Sequence, residues 1–155
     1  AQGTTFKILF PAVARALECP VELKQDEPRK SEPPQKATIL VVDDEEVLRK
    51  LTKTVLERHG FTVLTAADGF EGVQAFQQHA AQVDCVLLDL TMPHMDGELC
   101  FEELRRIRKD VKVILSSGYS EQEATQRFRG KELAGFIQKP YQPTALYEQI
   151  QNVLG

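Results

Sequence analysis

The chain has 155 residues, a formal net charge of -4, 42% apolar residues and 27% charged residues, which is the length of one ordinary domain plus a tail with the balance of a soluble globular protein. The acidic balance and the lack of a basic stripe argue against direct nucleic-acid binding. No apolar run approaches the roughly 18 to 20 residues that a membrane span needs, and no basic segment leads into an apolar one as in a secretory signal.

The first residue is Ala1 rather than Met, which points to a fragment or a processed chain. In "GTTFKILFPA" (3–12), Phe6, Ile8 and Phe10 alternate with Thr5, Lys7 and Leu9, the pattern of a strand. "AVARALE" (12–18) suits a short helix, free to dock on the rest of the chain or on another copy. Residues 24–36, "KQDEPRKSEPPQK", carry no apolar side chain and three prolines, Pro28, Pro33 and Pro34. Such a stretch cannot bury enough surface to offset its ordering entropy, so it reads as a stiffened linker. The chain thus divides into a terminal piece (1–23), a linker (24–36) and a compact domain (37–155).

Within the compact domain two periodicities alternate. "TILVV" (38–42) is a β-branched apolar run. Val47, Leu48, Leu51, Val55 and Leu56 then recur at helical spacing, with Gly60 as a stop. A strand at 61–66 precedes a helix at 69–79 with Val73 and Phe76 on one side. A buried strand at 84–89 precedes a helix at 97–108 with Leu99, Leu104 and Ile107 on its apolar face. A strand at 111–117 leads to a helix at 121–131, and a strand at 134–139 to a helix at 142–153 with Leu146, Ile150 and Val153 inward. Strands that are apolar throughout are expected where helices cover both faces. Right-handed crossovers then give a doubly wound α/β fold, a five-stranded parallel sheet with five helices.

In such a sheet the ligand site lies at the carboxyl ends of the strands. The first predicted strand runs into Asp43 and Asp44, the third ends at Asp89, the fourth at Ser116 and Ser117, and the fifth at Lys139 before Pro140. Three carboxylates within about 4 to 6 Å would repel by roughly a few kcal/mol at an effective dielectric near 20. A cation among them removes that cost, and oxygen-only ligands suit Mg²⁺, which recruits phosphate oxygens. A carboxylate beside Mg²⁺ and a lysine can attack a phosphoryl group to form an acyl phosphate. Taken singly, each residue has a plainer reading: acids at a helix start, a loop Asp89, a solvated Lys139. The three cysteines, Cys19, Cys85 and Cys100, form no CxxC pair, so neither a disulfide framework nor a zinc site is indicated, and a reducing cytoplasm suits them.

The motifs "ILVVDDE", "VLLDLTMPHMDG", "VILSSGYS" and "FIQKPY" in this order resemble the receiver domain of two-component signalling over residues 37–155. The resemblance implies a flavodoxin-like sheet of order 2-1-3-4-5. It implies Asp89 as phosphoacceptor, Asp44 as a direct Mg²⁺ ligand, Asp43 as a helper, and the backbone carbonyl of Thr91 as a further ligand. Ser117, preferred over Ser116, matches the hydroxyl that follows the phosphoryl group, and Lys139 the phosphate-binding lysine, commonly followed by a cis bond to proline. Phe136 matches the aromatic that changes rotamer with the hydroxyl; plain core packing is its alternative. Thr91 and Tyr119 stand where the family tunes phosphoryl loss. The run Met92–Pro93–Met95 is read as a turn closed by Asp96 and Gly97 rather than a binding stripe.

The segment 3–12 is similar to the last strand of the ATP-binding domain of sensor histidine kinases. With the linker and receiver behind it, this implies the C-terminal end of a hybrid sensor histidine kinase; an unrelated leader on a freestanding regulator is the alternative. The implied partners are a phosphodonor histidine kinase domain or a histidine phosphotransfer protein, with a membrane reached only through the parent kinase and homodimerisation left open. Three rival readings of the same residues remain. A haloacid dehalogenase-type phosphatase would need a second acid where Thr91 stands. A flavin-binding flavodoxin-like protein would need a phosphate loop where Asp43 and Asp44 stand. The third is an interaction module of receiver fold that is never phosphorylated.

Overall fold

The computed structural model describes residues 37–155, the side chain of Thr125 excepted. The expectations for the strand at 3–12, the short helix at 12–18, the linker at 24–36 and Cys19 lie outside the described residues.

Strands and helices alternate in the order β1 (Thr38–Val42), α1 (Glu46–Arg58), β2 (Thr62–Ala66), α2 (Gly69–His79), β3 (Val83–Asp89), α3 (Gly97–Ile107), β4 (Lys112–Ser117), α4 (Glu121–Arg127), β5 (Gly135–Gln138) and α5 (Pro143–Leu154). All pairings are parallel and the strand order is β2-β1-β3-β4-β5. This is the flavodoxin-like sheet that the sequence leads one to expect.

The pleat sorts the apolar strand residues into two layers. Ile39, Val41, Cys85, Leu87, Ile114 and Ile137 pack with Leu56 of α1 and Leu146 and Ile150 of α5. Leu40, Val42, Val86, Leu88, Val113 and Leu115 pack with Phe76, Cys100, Phe101, Leu104, Ala124 and Phe128 of the α2–α4 side. Each fully buried Leu, Ile or Phe contributes about 1.5 to 3 kcal/mol, so both faces anchor the strands whose tips carry the polar residues. Side-chain caps fix three helix starts: Asp68 on Glu71 N–H, Asp96 on Leu99 N–H, and Ser120 with Glu123 in a reciprocal capping box. Each contributes about 1 kcal/mol.

Four local expectations are corrected. In α1, Val47 is 75% exposed and Leu51 55% exposed; the buried stripe runs through Thr52 and Leu56, with Leu48 and Val55 half-buried. The apolar arc is wider than the stripe the sheet can cover, and a polar residue occupies the middle of that stripe. In α3, Leu99 is 53% exposed while Cys100, Phe101 and Leu104 face the core. Helix α4 ends at Arg127 rather than 131, because Phe128 turns into the core against the Phe101 ring (5.4 Å, edge-on) and Gly130 adopts φ 81°. Strand β5 ends at Gln138, one residue before Lys139, although the Lys139 N–H still donates to Ser117 O at 2.7 Å.

Candidate functional site

Asp43 follows β1, Asp89 closes β3, and Lys139 follows β5. By strand alternation all three continue the pleat of the α1/α5 layer, which brings them to one point on the carboxyl edge. Asp43 is 4% exposed and Asp89 6% exposed, whereas Asp44 is open to solvent. Lys139 Nζ donates to Asp43 Oδ2 and to Asp89 Oδ2, each at 2.8 Å. The second oxygen of each buried acid is held by backbone: Glu45 N–H donates to Asp43 Oδ1 (2.9 Å), and Thr91 N–H to Asp89 Oδ1 (3.1 Å). Arg49, one turn into α1, donates to the Asp43 carbonyl.

The loop after β3 is shaped for this purpose. Gly97 N–H donates to Leu90 O, and a Cβ at Gly97 would stand 2.5 Å from Asp89 O and 2.8 Å from Leu90 Cα. Only glycine allows the α3 start to lie this close to the backbone of the acid. Met92 is buried and Met95 N–H closes on Pro93 O, so this run is a turn over the site, as expected.

Burial pushes the Asp89 carboxyl above the ordinary carboxylate range, against the opposing pull of Lys139 and the Thr91 N–H. For Lys139, burial works against the ammonium, but hydrogen bonds and charge from Asp43 and Asp89 outweigh it and hold the lysine above its ordinary range. Single oxygen atoms of Asp43, Asp44 and Asp89 lie within 4.8 Å of one another. An oxygen-only donor set of three acids, with one ammonium against it, suits a hard divalent cation such as Mg²⁺.

Ser117 and Ser116 are both buried, at 0% and 1% exposure, on opposite faces of β4. Ser117 Oγ accepts from Tyr119 N–H at 3.0 Å, which leaves its own proton free to donate. Ser116 pairs across the sheet with Asp89, and its Oγ has no partner among the described residues. Phe136, opposite Leu115, is half-buried in the α2–α4 layer and not among the acids. Tyr119 is 45% exposed, with the Arg127 guanidinium carbon 5.3 Å from its ring centre. The peptide Lys139–Pro140 is cis. The structure therefore brings Asp43, Asp44, Asp89, Lys139 and the Thr91 backbone together, sets Ser117 on the neighbouring strand tip, and leaves Phe136 and Tyr119 to one side. Sequence reasoning missed Arg49, Thr52 and Tyr141. Tyr141 had a signal, a polar-tipped aromatic two residues after the lysine; Thr52 had none.

A family model described as "Response regulator receiver domain" matches residues 39–151. Sensor kinase CckA of Brucella abortus is 34% identical over 157 residues, covering 99% of this chain and 17% of its own length. Chemotaxis protein CheY of Bacillus subtilis is 32% identical over 117 residues, covering 75% of this chain and 96% of CheY. Among solved structures, a chain of the CheX-CheY-BeF3-Mg+2 complex from Borrelia burgdorferi has a TM-score of 0.73 at 30% identity, covering 77% of this chain and 90% of that one. The receiver domain from hybrid histidine kinase CckA has a TM-score of 0.66 at 28% identity, covering 77% of this chain and 100% of that one. The chain spans 17% of the sensor kinase and 49% of the probable transcriptional regulator ycf27 of Porphyridium aerugineum, another relative.

Proposed function

The chain belongs to the response regulator receiver family of two-component signalling, and on that premise we propose that it takes a phosphoryl group from phosphohistidine onto Asp89, with Mg²⁺ in the acidic pocket. The observation that carries this reading is Lys139 Nζ held 2.8 Å from both Asp89 and Asp43, with Asp44 adding a third carboxylate oxygen. A nucleophile, a cation for the transferred group and an oxygen-only donor set share one edge of the sheet.

An Asp89 oxygen attacks phosphorus. The O–P bond forms as the P–N bond breaks, and the donor imidazole leaves with the electron pair. The product is a mixed anhydride. Asp43, Asp44, Asp89 and the Thr91 carbonyl would hold Mg²⁺, which supplies positive charge for the phosphoryl oxygens. Lys139 exchanges its Asp89 contact for a phosphoryl oxygen, and Ser117 donates its free hydroxyl proton to another. The inward shift of Ser117, followed by Phe136, biases the face built from α4, β5 and α5. Tyr119 and Thr91 govern how readily water reaches the anhydride.

The match to the sensor kinase covers 99% of the chain and so takes in the segment before residue 37, whereas the CheY match covers 75%. This supports reading residues 1–23 as the end of a kinase ATP-binding domain, 24–36 as a linker, and the whole as the C-terminal part of a hybrid sensor histidine kinase. Its partners are then a phosphodonor kinase domain or a histidine phosphotransfer protein.

The test is intact mass after incubation with Mg²⁺ and acetyl phosphate or phosphoramidate. One phosphoryl adduct is expected, absent in Asp89→Asn and absent with EDTA. An adduct that persists in Asp89→Asn would overturn the assignment.

A further inference from the structure

We propose that the hydroxyl pair of Thr52 and Tyr141 is a positioning contact that holds the Lys139 loop in register with the acids, so that one helix, α1, sets both halves of the site. The proposal rests on the reading of Asp89 and Lys139 given above and adds positioning residues to it.

Thr52 is 2% exposed, in the middle of the α1 stripe that faces the sheet, where a leucine or valine would bury more apolar surface. Its hydroxyl lies 3.3 Å from the Tyr141 hydroxyl, either one donating. Tyr141 stands two residues after Lys139, and its ring packs on the layer between the sheet and α1/α5. Pro140 has no N–H to tie the segment down, and α5 starts at Pro143 without a side-chain cap from Gln142. Among the described residues, the polar ties of Lys139–Gln142 to other elements are few. They are Lys139 N–H on Ser117 O, Lys139 Nζ on the two acids, the Tyr141 hydroxyl on Thr52 and, toward α5, Leu146 N–H on Gln142 O. About one turn before Thr52, Arg49 donates to the Asp43 carbonyl, and the N–H of the N-cap residue Glu45 donates to the Asp43 carboxylate. The first half of α1 therefore touches both Asp43 and, through Tyr141, the segment that carries Lys139, beside the direct contacts of Lys139 with the acids. A loop freed from Thr52 retains the lysine but loses its fixed reach.

The experiment uses the full chain and the variants Thr52→Val, Tyr141→Phe, the double variant and Thr52→Ser. The first readout is site-resolved amide exchange without Mg²⁺. Lys139 N–H is expected to exchange about tenfold faster in Thr52→Val and in Tyr141→Phe, while Leu87 and Leu115 N–H keep their rates. The double variant is expected to be no worse than either single one, and Thr52→Ser to behave as wild type. The second readout is binding. Affinity for beryllofluoride with Mg²⁺ is expected to fall about fivefold, with affinity for Mg²⁺ alone unchanged. Lys139 exchange that merely tracks the core amides, or additive losses in the double variant, would overturn the positioning role. A wild-type chain that binds no beryllofluoride would instead overturn the proposed function, and the exchange rates would still decide the contact.

Discussion

Lys139 Nζ lies 2.8 Å from Asp89 Oδ2, and both groups are largely buried. Asp43 Oδ2 stands at the same distance from the lysine, so one ammonium serves two acids whose charges burial would otherwise disfavour. Removing it leaves two buried carboxylates uncompensated, a change that costs far more than losing an exposed ion pair.

Lys139→Met is accordingly expected to lower stability by about 3 kcal/mol near neutral pH, with part recovered on adding Mg²⁺. The lysine is held above its ordinary range, so its contribution is fully present below its unfolded pKa and is lost only as pH rises through the higher folded value. The difference between variant and wild type should be flat around neutrality and shrink in acid, where Asp89 protonates. Urea unfolding at several pH values checks this; a difference that grows in acid would contradict it.

Asp89 is also raised, but there it is the neutral form that the fold favours. Its carboxyl is raised by burial, so the protonated form is favoured in the folded chain. Its contribution is present below the unfolded pKa and is lost as pH rises through the carboxylate range. Without Mg²⁺, Asp89→Asn is therefore expected to have a higher Tm than wild type at pH 7, and no advantage in acid. Thermal melts with and without EDTA decide the matter.

The two serines of β4 should part ways. Ser116 Oγ is buried without a partner among the described residues, so Ser116→Ala is expected to leave stability unchanged or raise it by up to about 1 kcal/mol. Ser117→Ala removes the donor proposed for the phosphoryl group and is expected to weaken beryllofluoride binding about tenfold. Equal losses in both variants would undo the preference for Ser117.

Tyr119 lies two residues after Ser117, half-exposed, with the Arg127 guanidinium over its ring. Tyr119→Ala is expected to speed loss of the phosphoryl group several-fold by admitting water. An unchanged dephosphorylation rate would remove its shielding role.

The thiols of Cys85 and Cys100 are each pushed up to about 12, mainly by burial. At pH 8 their thiolate fraction is about three orders of magnitude below that of a free cysteine. In a Cys19→Ser background, Ellman's reagent should find no reactive thiol in the native chain and two after denaturation.

The strand-and-helix order and the carboxyl-edge acids were legible because β1, β3 and β4 are apolar on both faces and run into a polar residue, and the sheet order followed from the family resemblance of the motifs. The helix faces were less so. Periodicity locates an apolar arc, but which part of it meets the sheet depends on packing, so Leu51 and Leu99 turned outward while Thr52 and Cys100 turned in. The end of α4 was misjudged because "EQEATQRFRGK" keeps helical propensity past Arg127, and only the tertiary pull on Phe128 stops it. Lys139 was legible from its place before Pro140, but the brace on its loop was not: Thr52 and Tyr141 are 89 positions apart, and neither period nor motif links them.

The most direct test of the central claim is to locate the phosphoryl group itself. The chain would be phosphorylated with acetyl phosphate and Mg²⁺, then reduced with borohydride, which converts an aspartyl phosphate to homoserine, and its peptides sequenced by tandem mass spectrometry. Homoserine at position 89 alone is the expected result. Homoserine at 43 or 44, or phosphate retained on Ser116 or Ser117, would contradict it.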